Sequence, residues 1–266
     1  MTAEQEQSKK SRRRGLLLID RGSREREASE ELDSICAGIM KKGDYAFAEY
    51  CFLEVEPPYI EDGMAKCLKP DTIDALTIVP YFLYPGKKVK NAVTDAMTYQ
   101  SETRIKLLVT RAMSMHGTLV NIVRSRVAAA LKENNVTIPD DMVDVMIIGH
   151  GSVDPNAQRS MDYIVSGLKG RYRNVSRCWL EIEQPDIPQG IKRCEADSPE
   201  ALVIVYYFLH EGAHVKTDIN NDLMPALESS SIRNAYITRH IGADERMIDL
   251  ILQRAAEVEA ADHIAG

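Results

Sequence analysis

The sequence predicts an α/β protein built as two copies of one unit, each a parallel sheet flanked by helices. Three observations lead there: blocks of sequence recur in one order, apolar runs alternate with helical stripes, and Gly or Pro punctuates the joints. The recurring blocks are GLLLIDRGS (15–23) with DVMIIGHGS (144–152), CFLEVEPPYIEDGMAKC (51–67) with CWLEIEQPDIPQGIKRC (178–194), and VPYFLYPGKKVKNAV (79–93) with VYYFLHEGAHVKTDI (205–219). Their spacing drifts only from 129 to 127 to 126 residues, a constancy that chance similarity does not produce.

Each copy reads the same way. An apolar run (Leu16–Ile19; Val145–Ile148) ends in a Gly-Ser turn. A helix follows, with the stripe Ala28, Leu32, Ile35, Ile39 in the first copy and Met161, Ile164, Val165, Leu168 in the second. A second strand is expected over about Ala46–Val55 and Arg177–Ile182, then a helix opening near a proline. The next run (Leu76–Leu83; Ala201–Leu209) is apolar almost throughout, as a parallel strand buried on both faces should be. Another helix leads to a last strand (Ile105–Thr110; Ala235–Thr238) and a closing helix (about Leu119–Lys132; Glu245–Glu257). The joint falls in the polar stretch Asn134–Asp141 around Pro139, which predicts domains over 15–138 and 139–266 behind a basic tail, 1–14.

Composition narrows the function. At 44% hydrophobic, 266 residues can bury a core for one or two domains. No apolar run reaches the roughly 18 residues of a membrane span. The opening MTAEQEQSKKSRRR has no apolar segment behind it, and Glu4 and Glu6 argue against a transit peptide, so it reads as a solubilising disordered tail. Five cysteines without a CxxC pair predict no disulfide framework and fit a reducing cytoplasm. Cys51 and Cys67 recur as Cys178 and Cys194 and read as small buried hydrophobes. A net charge of -7, with its cations scattered outside the tail, makes nucleic acid a poor partner. Homo-oligomerisation stays open.

Where the copies differ, they differ at strand ends, where ligands of parallel α/β sheets bind. After the first strand the first copy has Arg21 and the second His150; after the third, Tyr84 and Lys88 stand where the second copy has His210 and His214. Glu181 and Glu183 lie at the end of the second strand, pointing the same way if that strand persists. Two imidazoles and a carboxylate suit a divalent first-row transition metal, and they can accept protons displaced when the metal binds another ligand. Each residue also has a plain structural reading. His150 could cap the next helix, His210 and His214 could be an exposed i, i+4 pair, and Glu181, kept as Glu54, could serve the fold.

The pattern Gly149-His150-Gly151-Ser152, then Leu180-Glu181 with Pro185, then Phe208-Leu209 and Gly212-Ala213-His214-Val215 with Asp218, resembles the sirohydrochlorin chelatases of cobalamin and sirohaem synthesis. The resemblance runs from about Gly15 to about Leu252 and includes the duplication. It implies a lyase with two chelatase-like domains facing across a cleft, inserting Co²⁺ or Fe²⁺ into sirohydrochlorin without an organic cofactor. Cobalt is favoured because the long duplicated form is typical of cobalt-inserting relatives. The resemblance carries the metal and catalytic roles onto His150, Glu181 and His214. The first copy departs from the pattern at Arg21 and Lys88, so only the second is expected to work. Arg21 and Lys88, with His210 and Glu183, are candidate substrate-binding residues. The alternatives are a cobalt or nickel carrier of the same fold and, more weakly, a nucleotide-binding domain, for which neither GxGxxG nor GxxxxGK[ST] is present.

Overall fold

Each predicted apolar run becomes part of a four-stranded, all-parallel sheet. The computed structural model describes residues 13–69, 73–210, 212, 217 and 219–265, so the expected tail lies, up to residue 12, outside the described residues. The first half contains β1 (Arg14–Asp20), α1 (Arg26–Lys42), β2 (Phe47–Phe52), α2 (Ile60–Cys67), β3 (Ala75–Pro80), α3 (Lys87–Thr98), β4 (Lys106–Val109) and α4 (Gly117–Glu133). The second contains β5 (Val143–Gly149), α5 (Pro155–Leu168), β6 (Asn174–Trp179), α6 (Ile187–Ala196), β7 (Ala201–Tyr206), α7 (Ile219–Glu228), β8 (Ala235–Ile237) and α8 (Glu245–Ala265). The strand orders, β2-β1-β3-β4 and β6-β5-β7-β8, are the same, and every pairing is parallel.

Alternation along the strands sorts side chains between two faces. Leu17 and Ile19 of β1 pack outward with α2 and α3, and Met146 and Ile148 of β5 do the same with α6 and α7. Leu16 and Leu18, with Val145 and Ile147, face inward into one continuous core shared by both halves. Burial on both faces explains why β1, β3, β5 and β7 read as unbroken apolar runs. All five cysteines are free and buried within this packing. Among the described residues no helix is long and apolar enough to cross a membrane.

The closing helices do not stay with their own halves. α8 packs on α1, β3 and β4 of the first half, while α4 packs on α5, β7 and β8 of the second. Each sheet's inner face is thus covered partly by a helix from the other copy. The exchange also explains why α8 continues past the predicted end at Glu257 to Ala265: its last turns reach the first sheet. There Glu259 accepts hydrogen bonds from the Thr77 hydroxyl (2.6 Å), the Tyr45 hydroxyl (3.0 Å) and Arg14 Nη1 (3.3 Å).

Thr77 is fully buried, so removing its partner leaves a polar group without its acceptor. Glu259→Ala should therefore lower the unfolding free energy by about 2 kcal/mol in urea denaturation. A midpoint equal to wild type would mean that α8 is held by its apolar face alone.

Candidate metal centre

In a sheet of this order the chain reverses direction between β1 and β3, and between β5 and β7, which opens a crevice at their carboxyl ends. His150 follows β5 directly. The ladder continues past the strands into the loops: Leu180 N–H donates to Gly149 O (2.8 Å) and Glu181 N–H to His150 O (3.1 Å). The first half repeats this, with Leu53 to Asp20 (2.8 Å) and Glu54 to Arg21 (3.1 Å). Gly151 and Gly22 turn here at φ +96° and +100°, and a Cβ on either would lie 1.9 Å or 2.1 Å from the Glu181 or Glu54 carbonyl oxygen. Only glycine allows this approach, which locks each glutamate beside the residue that ends the first strand.

The predicted second strands run too long. β2 and β6 end at Phe52 and Trp179, and Glu181 and Glu183 do not share a strand face. The chain instead reverses tightly at Val55 (φ 81°) and Ile182 (φ 69°), closed by Glu56 N–H to Glu54 O (3.1 Å) and Glu183 N–H to Glu181 O (2.8 Å). The alternating pattern LEV and LEI imitates strand while the backbone makes a γ-turn. Glu183 turns back to accept from Ser152 N–H (2.8 Å) and from the Gln158 amide, where it braces the turn before α5.

His150 Nε2 lies 3.1 Å from Glu181 Oε1, so these two candidate ligands do meet. His150 does not cap the next helix, because Asp154 accepts from Asn156 N–H there. From the other half, Arg21 Nη1 comes within 3.3 Å of the same His150 nitrogen. Arg21 Nε also donates to Glu54 Oε1 (3.0 Å), and Lys88, in the first turn of α3, pairs with Glu54 Oε2. Burial pushes the Glu54 carboxyl up, but the Lys88 and Arg21 hydrogen bonds outweigh it and hold it below the usual range. His214, with the neighbouring Ala213, Val215 and Asp218 of the motif, lies outside the described residues.

His210 is not exposed. Its side chain is 9% exposed, with Nδ1 2.6 Å from Glu31 Oε2 and Nε2 3.4 Å from Asp20 Oδ2. His240, after β8, reaches the other Glu31 oxygen at 2.7 Å. Two histidines of the second half therefore meet two carboxylates of the first. Burial pulls the His210 pKa down, but Asp20 and Glu31 more than reverse this and raise it to about 9. Burial raises Glu31, but hydrogen bonds from His210 and His240 bring it down to about 2. Sequence reasoning missed Asp20, Glu31 and His240. Glu31 is 179 residues from His210 and lies on the polar side of an ordinary amphipathic helix, so no local signal marks it.

With the site in view, comparison with known proteins is informative. The CbiX family model matches residues 15–130 and again 144–258. This chain belongs to the CbiX family. The two matches fall on the two halves, and the sirohydrochlorin-chelatase resemblance read from the motifs holds for the family. The chain is similar to a sirohydrochlorin ferrochelatase of Priestia megaterium, 26% identical over 242 residues, 89% of this chain and 87% of that protein. It is also similar to a sirohydrochlorin cobaltochelatase of the same organism, 24% identical over 208 residues, 76% of this chain and 66% of that one. In fold it is similar to SirB from Bacillus subtilis with Fe³⁺, with a TM-score of 0.77, 21% identity and coverage of 94% and 97% of the two chains.

The carboxylate–imidazole cluster gives this CbiX-family chain a defined pH response. His210 has a folded pKa above its ordinary 6.5, so its contribution is complete below about pH 6.5 and is lost as pH rises through about 9. Glu31 is depressed from 4.5, so its contribution is complete above about pH 4.5 and is lost as pH falls toward about 2. Glu31→Gln should lower Tm most between those limits, and the difference from wild type should shrink on both sides. A Tm difference independent of pH would show that the cluster does not titrate as a unit.

Proposed function

We propose that this chain is a lyase that inserts a divalent metal, Co²⁺ or Fe²⁺, into sirohydrochlorin, with the metal as substrate and no organic cofactor. The observation that carries this is the meeting of His150 Nε2 and Glu181 Oε1 at the carboxyl ends of β5 and β6, inside the second family match. Residues 139–266 hold the metal at His150, Glu181 and His214. Residues 15–138 supply the opposite wall. Insertion of M²⁺ expels the protons of two pyrrole N–H groups, and the Glu181 carboxylate and His150 imidazole are bases placed to take them. Imidazole and carboxylate accept cobalt and iron alike, and the relatives' names include both activities, so donor chemistry selects neither.

Arg21 and Lys88 supply local positive charge for a substrate that carries eight carboxylates. Two cations share one Glu54 carboxylate, which leaves this group of three one positive charge in a protein of net charge -7. The Arg21 guanidinium forks onto a carboxylate and Lys88 acts as a point charge. Glu183 and His210 support the loops around the substrate, Glu183 through Ser152 and His210 through Glu31.

Anaerobic incubation with sirohydrochlorin and each metal, followed by absorbance, tests the activity and its metal preference. His150→Ala and His214→Ala should each remove most of the insertion rate while the chain stays folded, and Glu181→Gln should cost more than Glu54→Gln. Metal binding without faster insertion would identify a carrier instead. Near wild-type rates in both histidine variants at limiting metal would defeat the site.

The cationic wall has its own signature. Arg21→Ala with Lys88→Ala should raise KM for the tetrapyrrole several-fold at low ionic strength and less at high salt, because screening already weakens exposed contacts there. The metal dependence should stay the same. An unchanged KM at low salt would leave the first half as scaffold only.

A further inference from the structure

The two glutamate loops share a feature that metal binding does not require. Among the described residues five non-glycine positions have positive φ, and only Val55 and Ile182 are β-branched. Their branched Cβ atoms crowd the backbone in this region, and the turn itself is the strained hand of the γ-turn. Glycine or asparagine would fit with less strain. Burial does not offset the strain, because Val55 is 42% and Ile182 62% exposed. Val153, beside the Gly151 turn, is 88% exposed, so apolar side chains cluster on the loops that carry His150 and Glu181.

The two turns also persist where the ligands do not. Arg21 and Lys88 stand in the first half where the second has His150 and His214, yet its loop keeps the same reversal and the same kind of side chain at Val55. A strained, exposed β-branched residue retained on both walls points to a partner that both walls touch. On the proposed site a metal would touch one wall only. A macrocycle has two faces, apolar over the ring and charged only at the rim.

On the reading that this chain is a sirohydrochlorin chelatase, we infer that Val55 and Ile182 are substrate-binding residues, one from each half, against which the apolar faces of the tetrapyrrole rest beside His150 and Glu181. The turn leaves these side chains 42% and 62% exposed, open to be covered by the ring. Arg21 and Lys88 then meet the rim, so each wall divides its work between face and edge.

Titration of metal-free sirohydrochlorin into the whole chain, without metal and anaerobically, separates binding from insertion. Val55→Gly and Ile182→Gly each accept the turn's backbone and remove the side chain. Each should raise Kd on the order of tenfold, with Tm equal to or above wild type, and the double variant should lose more. Ile182→Val should bind within a few-fold of wild type. Met142→Ala, an equally exposed position just before β5 and so at the opposite end of the sheet, should leave Kd unchanged. If wild type binds and both glycine variants bind equally well, the inference is overturned. It is also overturned if they bind equally well but insert metal slowly, since the residues would then only shape the glutamate turn. A wild-type chain that neither binds the macrocycle nor inserts metal overturns the parent reading instead, and this inference with it.

Discussion

Everything else in this structure depends on the shared inner core. Each sheet has two apolar faces, and the helices of its own half cover only the outer face and part of the inner one. α8 crosses to β3 and β4, and α4 crosses to β7 and β8, so each half completes the other. Leaving either inner face bare would expose a row of large aliphatic side chains, which is unfavourable by roughly 25 cal/mol per Å² of apolar surface. The exchange therefore fixes how the halves sit. It turns both sets of strand-end loops toward one another, close enough for Arg21 of one to reach His150 of the other.

Within that frame the duplication has been kept in the backbone and altered in the side chains. Both halves have a glycine at positive φ packed against a glutamate carbonyl, and both hold that glutamate by the same backbone bonds. What differs is the partner of the carboxylate. Glu181 faces the His150 imidazole. Glu54 faces a guanidinium and an ammonium, which pair with it. One architecture thus carries an imidazole–carboxylate pair on one wall and a cation–carboxylate group on the other.

Polar contacts reinforce the apolar interlock near the same loops. Asp20 and Glu31 of the first half hold His210 and His240 of the second, and Tyr84 packs edge-on against Tyr207 at 5.9 Å between ring centroids. Tyr84 and His210 occupy equivalent positions of the two copies. Each reaches into the opposite half, one through a ring and one through ion pairs. The ion pairs join the two halves at defined points on the polar side of the shared core.

The sequence by itself determined the α/β class, the duplication, the strand order of events along each half, and the family. These follow from local periodicity and from comparing the chain with itself, and both are visible in one dimension. It also marked His150, because a histidine stands where the first copy has Arg21, and Glu181, because a carboxylate follows the neighbouring strand. Only the tertiary structure decided the rest. The strands containing Glu54 and Glu181 stop early because a γ-turn can carry an alternating pattern that looks like strand. His210 looked like a surface partner of His214 because its carboxylates lie 179 and 190 residues away. The exchange of α4 and α8 was invisible for the same reason: an amphipathic stripe states that a helix must bury one face, and only packing decides against which sheet.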